Sequence, residues 1–300
     1  MNWSLYIWTF RLKSPLHVGF HKVMHFFSTR PYVPGKLFWG SLTAKLTPML
    51  GINDYQKVGE FLKKAIRFGY LYPYVEEKLY CPIYTEDGLR FGSLSQNEFE
   101  KKFISSMASA AIEAESLASE EGMLHEVEFI SPYTIDDEKP VFIRGFVWIR
   151  EFTENRFKLS KNNNKLIITH NGQVVDFKNS LANRFQIGGE RKYGFGLLKL
   201  NKLDEVSSNE FNGLSGKWCE KDGEVCISIN SDNPIWSHVL CSNNINIKGN
   251  IEPLVGRDWE SDKGAGRRLT SYGLFWSPGS ILCEDKTFKI TEFGIWEAVD

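Results

Sequence analysis

The chain has 300 residues, 42% of them hydrophobic and 14% aromatic, which is enough to bury the cores of two domains of ordinary size. No apolar run reaches the roughly 18 residues that span a bilayer, the N-terminal MNWSLYIWTFRLK lacks the features of a secretory signal, and the five cysteines form no CxxC pair. With a net charge of −1, these features argue against a membrane protein, a zinc site, a disulfide framework and a uniformly basic nucleic-acid binder, and they predict a cytoplasmic protein.

The N-terminal third is predicted to hold one strand and two helices. Residues 3–12, WSLYIWTFRL, alternate bulky and smaller side chains as a strand does. The next segment, KSPLHVGFHKVMHFFSTRPYVPG, is interrupted by prolines and glycines and is predicted to be a loop. A helix is predicted to begin at Lys36, directly after the Pro34–Gly35 turn. A second helix is predicted over Tyr55–Phe68, where apolar residues recur at i, i+3, i+4, i+7 and i+8.

An acidic segment follows. Residues 105–138 carry nine acidic side chains and no lysine or arginine, so the net charge of −1 becomes +8 on the rest of the chain. A basic body with one acidic segment can still attract a polyanion to part of its surface, and the alternative is an ordinary soluble protein with one solvated acidic face. Phe103–Glu121 is rich in Ala, Ser and Glu and permits a helix with little apolar surface. We therefore expect residues 105–121 to be mobile in the isolated protein and ordered against a partner.

The middle of the chain leads into a glycine-rich loop. Strands are predicted at EVEFI, VFIRGFVWI, KLIITH and QVVDF, and a helix at Asn179–Phe185 precedes the loop IGGERKYGFG, residues 187–196. The strand GFGLLKL leaves this loop. Together these elements approach a βαββαβ unit with insertions. After about Val206, short β segments such as EVCISI and YGLFW dominate. The predicted class is α+β: a first domain at 1–205 with an inserted segment at about 95–140, and a second, β-rich domain at 206–300.

The glycine-rich loop is the strongest candidate site. Its glycines permit positive φ and allow a ligand to approach the backbone, while exposed N–H groups and the cations Arg191 and Lys192 suit phosphate. The pattern is not GxxxxGK[ST], and it precedes a strand, whereas a dinucleotide fingerprint precedes a helix. The predicted ligand is a sugar–phosphate backbone. The alternative is a glycine-rich hairpin with two solvated cations.

Four short motifs occur in a fixed order: SPLHVG after the first strand, YVPGKLFWGSLTA at the first helix, IGGERKYGFG, and LFWSPGSIL near the C-terminus. As a set they resemble the RAMP superfamily of CRISPR-associated proteins. The last motif resembles an element of the subunits that cap the 5′ end of guide RNA in type III effector complexes. The family pattern has serines where this chain has Lys36 and Leu37, so a phosphate contact from Lys36 is expected in place of hydroxyl contacts.

The resemblance implies ferredoxin-like, RRM-like units, the second one degenerate, and a subunit that holds the 5′ handle of crRNA without a cofactor, a metal or catalysis. The implied partners are crRNA, the backbone and large subunits of the complex and, indirectly, the target nucleic acid, with no membrane. Cations would meet phosphates and Tyr193 would stack on a base. The predicted RNA-binding residues of the first domain are His17, Lys36, Arg184, Gly188, Gly189, Arg191, Lys192, Tyr193, Gly194 and Gly196.

A second charged loop is predicted at Val255–Gly273, VGRDWESDKGAGRRLTSYG. Its cations Lys263, Arg267 and Arg268 flank small residues, and we interpret them as a second contact with RNA or with another subunit. The alternative is a surface loop without a partner.

Two other functional classes remain open. One is a metal-independent endoribonuclease of the same superfamily that processes precursor crRNA, with His17 and His21 as candidate acid and base. His17, His21 and His25 are spaced by four and would share one face of a helix, where they could bind a metal, but Gly19 and the flanking prolines argue against a helix. Many cleaving members of the superfamily carry the glycine-rich loop close to the C-terminus, whereas residues 197–300 follow it here. The resemblance therefore favours a subunit that caps guide RNA over a nuclease. The other class is a protein-only interaction module, distinguished by the absence of RNA from its purified complex.

Overall fold

The computed structural model describes residues 2–110, 112, 123–163, 165–182, 184–241, 245–260 and 264–299. Within these ranges the chain is α+β, as predicted, and most of its regular structure is β-sheet. No helix there is long and apolar enough to span a bilayer.

Short strands outnumber helices along the described chain. In chain order, the helices are α1 Gly35–Met49, α2 Tyr55–Ala65, α3 Gln96–Phe103 and α4 Phe177–Ala182, and a 3₁₀ turn spans Arg191–Tyr193. The strands of residues 2–206 are β1 Trp3–Leu12, β2 Gly19–Val23, β3 Phe26–Thr29, β4 Ile66–Val75, β5 Lys78–Leu79, β6 Pro82–Thr85, β7 Gly88–Phe91, β8 Leu94–Ser95, β9 Ile104–Ser109, β10 His125–Ile130, β11 Phe142–Arg150, β12 Phe152–Glu154, β13 Phe157–Asn162, β14 Lys165–His170, β15 Gln173–Asp176, β16 Phe185–Gln186 and β17 Leu197–Val206. Those of residues 217–298 are β18 Lys217–Lys221, β19 Glu224–Ile229, β20 Val239–Leu240, β21 Ile247–Lys248, β22 Ile251–Glu260, β23 Gly264–Trp276, β24 Ile281–Leu282, β25 Lys286–Ile290 and β26 Trp296–Ala298.

A six-stranded sheet forms the centre, in the order β16-β17-β1-β11-β4-β5. The side chains of β1 alternate between its two faces, as the period of a strand requires. Trp8, Phe10 and Leu12 face a core that includes α1, α2 and α4, whereas Trp3 and Leu5 face a second core. Both faces of this sheet are therefore buried.

The second core lies between the six-stranded sheet and a seven-stranded sheet in the order β18-β19-β25-β26-β20-β23-β22. Aromatic rings dominate it: Trp236 and Trp296 meet edge to face at 4.7 Å, and Phe146 of β11 lies 4.9 Å from Phe211. The boundary predicted near Val206 stays a prediction, since the parts on either side of it share this core.

Local signals explain how the first two helices begin and end. Gly51, with φ of +68°, stops α1 and donates its N–H to the carbonyl of Pro48. The side chain of Asp54 caps α2 by accepting from the Lys57 N–H at 3.0 Å. The predicted helix over Tyr55–Phe68 is too long, because the chain turns at Ile66 into β4, whose side chains are buried almost throughout.

The segment predicted as a loop after β1 contains a hairpin instead. Strands β2 and β3 pair around Met24, which has φ of +53°, and β3 also pairs in parallel with β10. β10 lies about one hundred residues after β3 in the chain, so no local sequence pattern predicts this pairing. β5 to β8, at 78–95, were not predicted either. The predicted helix at Asn179–Phe185 is α4, which ends at Ala182, and Phe185 begins β16.

The acidic segment differs from its prediction where it is described. A helix, α3, lies just before this segment. It begins at a capping box formed by Ser95 and Glu98 and ends at Phe103. Residues 104–109 form β9, which pairs antiparallel with β10, so the helix that the composition of Phe103–Glu121 permits does not form there. The expectation that residues 105–121 order against a partner falls largely on residues 111 and 113–122, which lie outside the described residues.

The predicted charged loop Val255–Gly273 is also a regular element. Strands β22 and β23 pair antiparallel from Ile251 opposite Trp276 to Glu260 opposite Gly264, with register shifts that bend the hairpin. Its glycines and charged residues are typical of a loop, but backbone pairing along most of its length makes it a two-stranded ribbon. β22 is an edge strand of the seven-stranded sheet.

Candidate nucleic-acid interface

Distant segments of the sequence meet around one open pocket of about 560 Å³. They include the end of the SPLHVG motif, the start of α1, the glycine-rich loop and the β22–β23 hairpin, and Arg30, Tyr70, Phe293 and Ile295 complete the lining. Three of the four motifs that carried the resemblance therefore converge at this pocket. The pocket lining includes the cations Arg30, Lys36, Arg191 and Arg257, and no carboxylate belongs to the lining among the described residues.

The fourth motif, LFWSPGSIL, lies elsewhere. Its turn is buried: the hydroxyl of Ser280 donates to the carbonyl of Ser277 at 2.8 Å, and the Gly279 carbonyl accepts from the Tyr84 N–H at 2.8 Å. This motif holds the C-terminal layer against β6 and does not line the pocket.

The glycines of the loop allow it to fold against its own chain. Gly188, Gly194 and Gly196 have φ of +81°, +87° and +76°. A Cβ on Gly188 would overlap the carbonyl oxygen of His17, and one on Gly196 would overlap that of Ile187. For these two positions, the close approach that was predicted for a ligand is made by the protein's own backbone.

The tip of the loop presents its polar side chains to solvent. Arg191, Lys192 and Tyr193 form the 3₁₀ turn and are exposed, and Tyr193 keeps 73% of its accessible surface. Gln186 holds the turn by donating to the carbonyls of Arg191 at 3.0 Å and Phe195 at 2.6 Å. Neither loop cation has an ion-pair partner among the described side chains, so both charges are available to an anion.

One predicted residue, His17, has a supporting place in the structure. His17 is only 6% exposed, and its Nδ1 lies 2.7 Å from the Glu128 carbonyl. A carbonyl only accepts, so Nδ1 carries the proton. The His17 carbonyl in turn accepts from the Gly189 N–H at 2.9 Å. Phe195 is buried against Phe129 and belongs to the core.

His21, the second candidate of the nuclease hypothesis, is exposed on β2. The ring centroids of His21 and Phe20 lie 3.6 Å apart. The Arg30 guanidinium lies over the Phe20 ring, with its Cζ 4.3 Å from the ring centroid. These three side chains form a column at the rim of the pocket. Because His21 lies on a strand and His25 in the turn after it, the helical face that a three-histidine metal site would need is not formed.

Lys36 was expected to be available to phosphate, but it is already paired. Its Nζ lies 2.5 Å from Asp258 Oδ1 on β22 and also donates to the hydroxyl of Tyr272 on β23. Burial by itself would raise the pKa of Asp258, but the bonds from Lys36 and Tyr272 outweigh it and lower that pKa. The contact joins α1 to the hairpin across the pocket.

A buried polar network forms the floor of the pocket. Glu252 accepts from Arg30 Nη1 at 2.8 Å, from His238 Nε2 at 2.5 Å and from the Tyr32 hydroxyl at 3.3 Å. Because the carboxylate only accepts, His238 carries its proton on Nε2, and its Nδ1 accepts from the Tyr70 hydroxyl at 2.6 Å. The network fixes the Arg30 guanidinium at the pocket wall.

The network shifts the pKa values of its members. Burial lowers the pKa of His238 to about 4, so the ring is neutral at pH 7. Burial opposes ionisation of Glu252, but the hydrogen bond from His238 and the charge of Arg30 outweigh it and lower its pKa to about 2. Arg30 and Glu252 therefore form a charged pair with side chains 10% and 9% exposed.

The other predicted cations lie away from the pocket lining. Arg184 is exposed at a left-handed position, φ of +44°, between α4 and β16. Arg267 and Arg268 are exposed near the tip of the hairpin, and Lys263 lies outside the described residues. Sequence reasoning missed Arg30 as a site residue, and its only local signal was its place between the SPLHVG and YVPGKLF motifs.

No family model and no curated protein matches the chain. Among solved structures, a chain of the type III-B Cmr-beta bound to cognate target RNA and AMPPnP (state 1) has 11% identity and a TM-score of 0.49, over 92% of this chain and 85% of that one. A chain of the Cmr-beta bound to cognate target RNA has 12% identity and a TM-score of 0.48, over 92% and 86%. The apo state gives 9% identity and a TM-score of 0.37, over 68% and 98%.

The chain is similar to subunits of type III-B Cmr-beta complexes. At 9–12% identity, what the chain does has to be argued from its own residues.

Proposed function

We propose that the chain is a non-catalytic, cytoplasmic RNA-binding subunit of a type III CRISPR effector complex, which holds the 5′ handle of crRNA and contacts neighbouring subunits in antiviral defence. One observation carries the proposal. Distant segments of the sequence converge on a single pocket whose described lining has four cations and no carboxylate, and of these cations Arg30 and Lys36 are ion-paired whereas Arg191 and Arg257 have no ion-pair partner among the described side chains. The pocket lies next to an exposed loop with two more side chains suited to RNA, Lys192 and Tyr193.

Single-stranded RNA matches the chemistry of this surface. Phosphates would lie along Arg191, Lys192 and Arg257, and bases would stack on Tyr193 or on the Phe20 column. The pocket volume falls in the range of about 300–1,000 Å³ common for ligand sites, so it suits one splayed nucleotide. An irregular handle, whose bases are not paired, can present both its backbone and a single base in this way.

We infer further that the six-stranded sheet is a ferredoxin-like, RRM-like unit. Its inner strands have the order β17-β1-β11-β4 with antiparallel neighbours, helices α1 and α2 connect β1 to β4, and α4 precedes β17. These are the parts of a βαββαβ unit, and the remaining strands are insertions. The seven-stranded layer has no helix among its described residues, and the degenerate second unit expected there stays a prediction.

Changing Arg191 and Lys192 together to Ala is expected to weaken binding of single-stranded repeat RNA and to flatten its salt dependence. Each lost phosphate contact on a single strand lowers the slope of log K against log salt concentration by about 0.7. Fluorescence anisotropy at several salt concentrations measures both quantities.

The double variant K158A/K165A is the matched control. It also removes two exposed cations, from β13 and β14, at positions that do not line the pocket. Its affinity and salt slope should stay close to the wild-type values. Equal losses in both double variants would mean that the protein attracts RNA only through its overall charge, and an unchanged R191A/K192A variant would remove the loop from the site.

We expect no cleavage when the protein is incubated with repeat RNA in EDTA. His17 is buried and its Nδ1 proton is committed to the Glu128 carbonyl, which leaves it poorly placed to share a reacting group with His21. Gel analysis of end-labelled RNA checks this. Cleavage at a defined position that is lost in H17A or H21A would favour the endoribonuclease instead.

A further inference from the structure

We propose that Asp258 occupies a phosphate subsite at Lys36, and that RNA must displace this carboxylate in order to bind fully. The inference rests on the proposed function and adds to it a competing anion built into the chain. The β22–β23 hairpin would then restrain binding as well as contribute to it.

The geometry around Lys36 is that of an occupied anion site. Its Nζ is held between the Asp258 carboxylate and the Tyr272 hydroxyl, and Tyr272 also bonds Asp258 Oδ1 at 3.0 Å and Oδ2 at 2.8 Å. The ammonium lies 4.5 Å from the Tyr272 ring centroid and 5.6 Å from that of Phe293. A carboxylate with one cation and one hydroxyl donor occupies the place that a phosphate oxygen would take.

The position of this pair sets it apart from the other paired cation of the pocket. Arg30 is paired with Glu252 inside the core, with a fully buried His238 behind it, and the Glu252 side chain is only 9% exposed. Asp258 lies farther along the same edge strand, β22, and its side chain is 28% exposed, against 9% for Glu252. It can rotate into water when a stronger anion arrives, and Lys36, which lines the pocket, then faces that anion.

Exchange of the two anions changes the charge of the pocket. With Asp258 in place, Lys36 contributes almost no net charge. Once a phosphate takes the ammonium, the released carboxylate is solvated, and Lys36 joins Arg191 and Arg257 as a lining cation that faces RNA, while Arg30 stays paired with Glu252. The free energy needed to release Asp258 lowers the RNA affinity of the wild-type protein. Removing the charge of Asp258 should therefore raise that affinity.

Asp258→Asn is the direct test, since asparagine keeps the shape and the acceptor for Tyr272 but not the charge. We expect D258N to bind single-stranded repeat RNA at least about fivefold more tightly than the wild-type protein, as a coupling of this kind commonly gives. The slope of log K against log salt concentration should steepen by about 0.7, the value of one additional phosphate contact on a single strand. Fluorescence anisotropy measures both.

A double-mutant cycle with Lys36→Met separates displacement from a purely structural role. If Asp258 competes with phosphate, K36M costs little in the wild-type background and at least about fivefold more in the D258N background. If the pair only fixes the hairpin, D258N binds RNA no better than wild type, and K36M has the same effect in both backgrounds. Tyr272→Phe, which leaves both charges in place, should change the salt slope little, and circular dichroism reports whether each variant folds.

The outcomes distinguish this proposal from the proposed function. Loss of binding in R191A/K192A together with unchanged binding in D258N overturns the displacement and leaves the RNA site standing. Absence of RNA binding by the wild-type protein overturns both.

Discussion

Glu252→Gln is expected to lower the free energy of unfolding by about 3–5 kcal/mol, because it leaves the Arg30 guanidinium buried without its carboxylate. Arg30 and Glu252 are 8% and 7% exposed, so solvent can replace little of the lost interaction. The pair joins β3 and its following loop to the start of β22, 222 positions later, and it also anchors neutral His238. Urea denaturation followed by tryptophan fluorescence measures the change.

Glu210→Gln provides a matched control, since it removes the same charge from an ion pair with Lys217 whose side chains are 61% and 65% exposed. Water screens an exposed pair and its side chains lose entropy on pairing, so this variant should unfold close to the wild-type midpoint. Equal losses in the two variants would mean that the Arg30–Glu252 pair adds nothing through its burial.

The same network predicts how stability depends on pH. The pKa of Glu252 is depressed to about 2, so its contribution is complete above the unfolded value of about 4.3 and is lost as the pH falls toward 2. The pKa of His238 is also depressed, to about 4, and the unfolded chain takes up its proton first. Stability should therefore begin to fall below about pH 6.5. In E252Q the part of the loss between about pH 4.3 and 2 should be reduced.

The local parts of the site could be predicted from the sequence, and the long-range parts could not. Glycines that need positive φ and a Pro–Gly turn before a helix leave short patterns, and Gly188, Arg191 and Lys36 were found in this way. The partners of the pocket cations leave none. Lys36 meets Asp258, and Arg30 meets Glu252, each across 222 positions. Only the packing of the seven-stranded sheet on the six-stranded sheet brings these groups together.

The same division explains the errors in secondary structure. The apolar stripe of α2 continues to Ile66, but the chain leaves the helix there. From Ile66 onward the backbone pairs with β11 as strand β4, which lies between β11 and β5 in the sheet. The charged hairpin was predicted to be a loop because its glycines weaken isolated strands. It forms strands because pairing between β22 and β23, which a local pattern does not show, overcomes that composition. The role of the glycines in the loop was half predicted: they are needed for close approach, but His17 and Ile187 supply the approaching atoms.

Gly196→Ala is therefore expected to destabilise the protein by about 2–5 kcal/mol and to abolish RNA binding by the loop. The added Cβ meets the carbonyl group of Ile187, which is backbone and cannot rotate away, at a φ of +76° that alanine rarely adopts. Relief of the overlap breaks the bonds that close the loop: Gly196 N–H to the Pro15 carbonyl at 2.7 Å, and Ile187 N–H to the Gly196 carbonyl at 3.0 Å. Thermal unfolding and RNA anisotropy on the same samples measure both effects.

Gly194→Ala isolates the two causes, because Gly194 has a similar φ of +87° but open space where its Cβ would be. Left-handed backbone strain alone costs roughly 1–2 kcal/mol, so G194A should be the milder variant and should keep Arg191 and Lys192 in place to bind RNA. Equal destabilisation by the two substitutions would show that strain at positive φ, and not contact with Ile187, requires glycine in this loop. If G196A folds and binds RNA like the wild-type protein, the loop is not held against Pro15 and Ile187, and the pocket cannot depend on that closure.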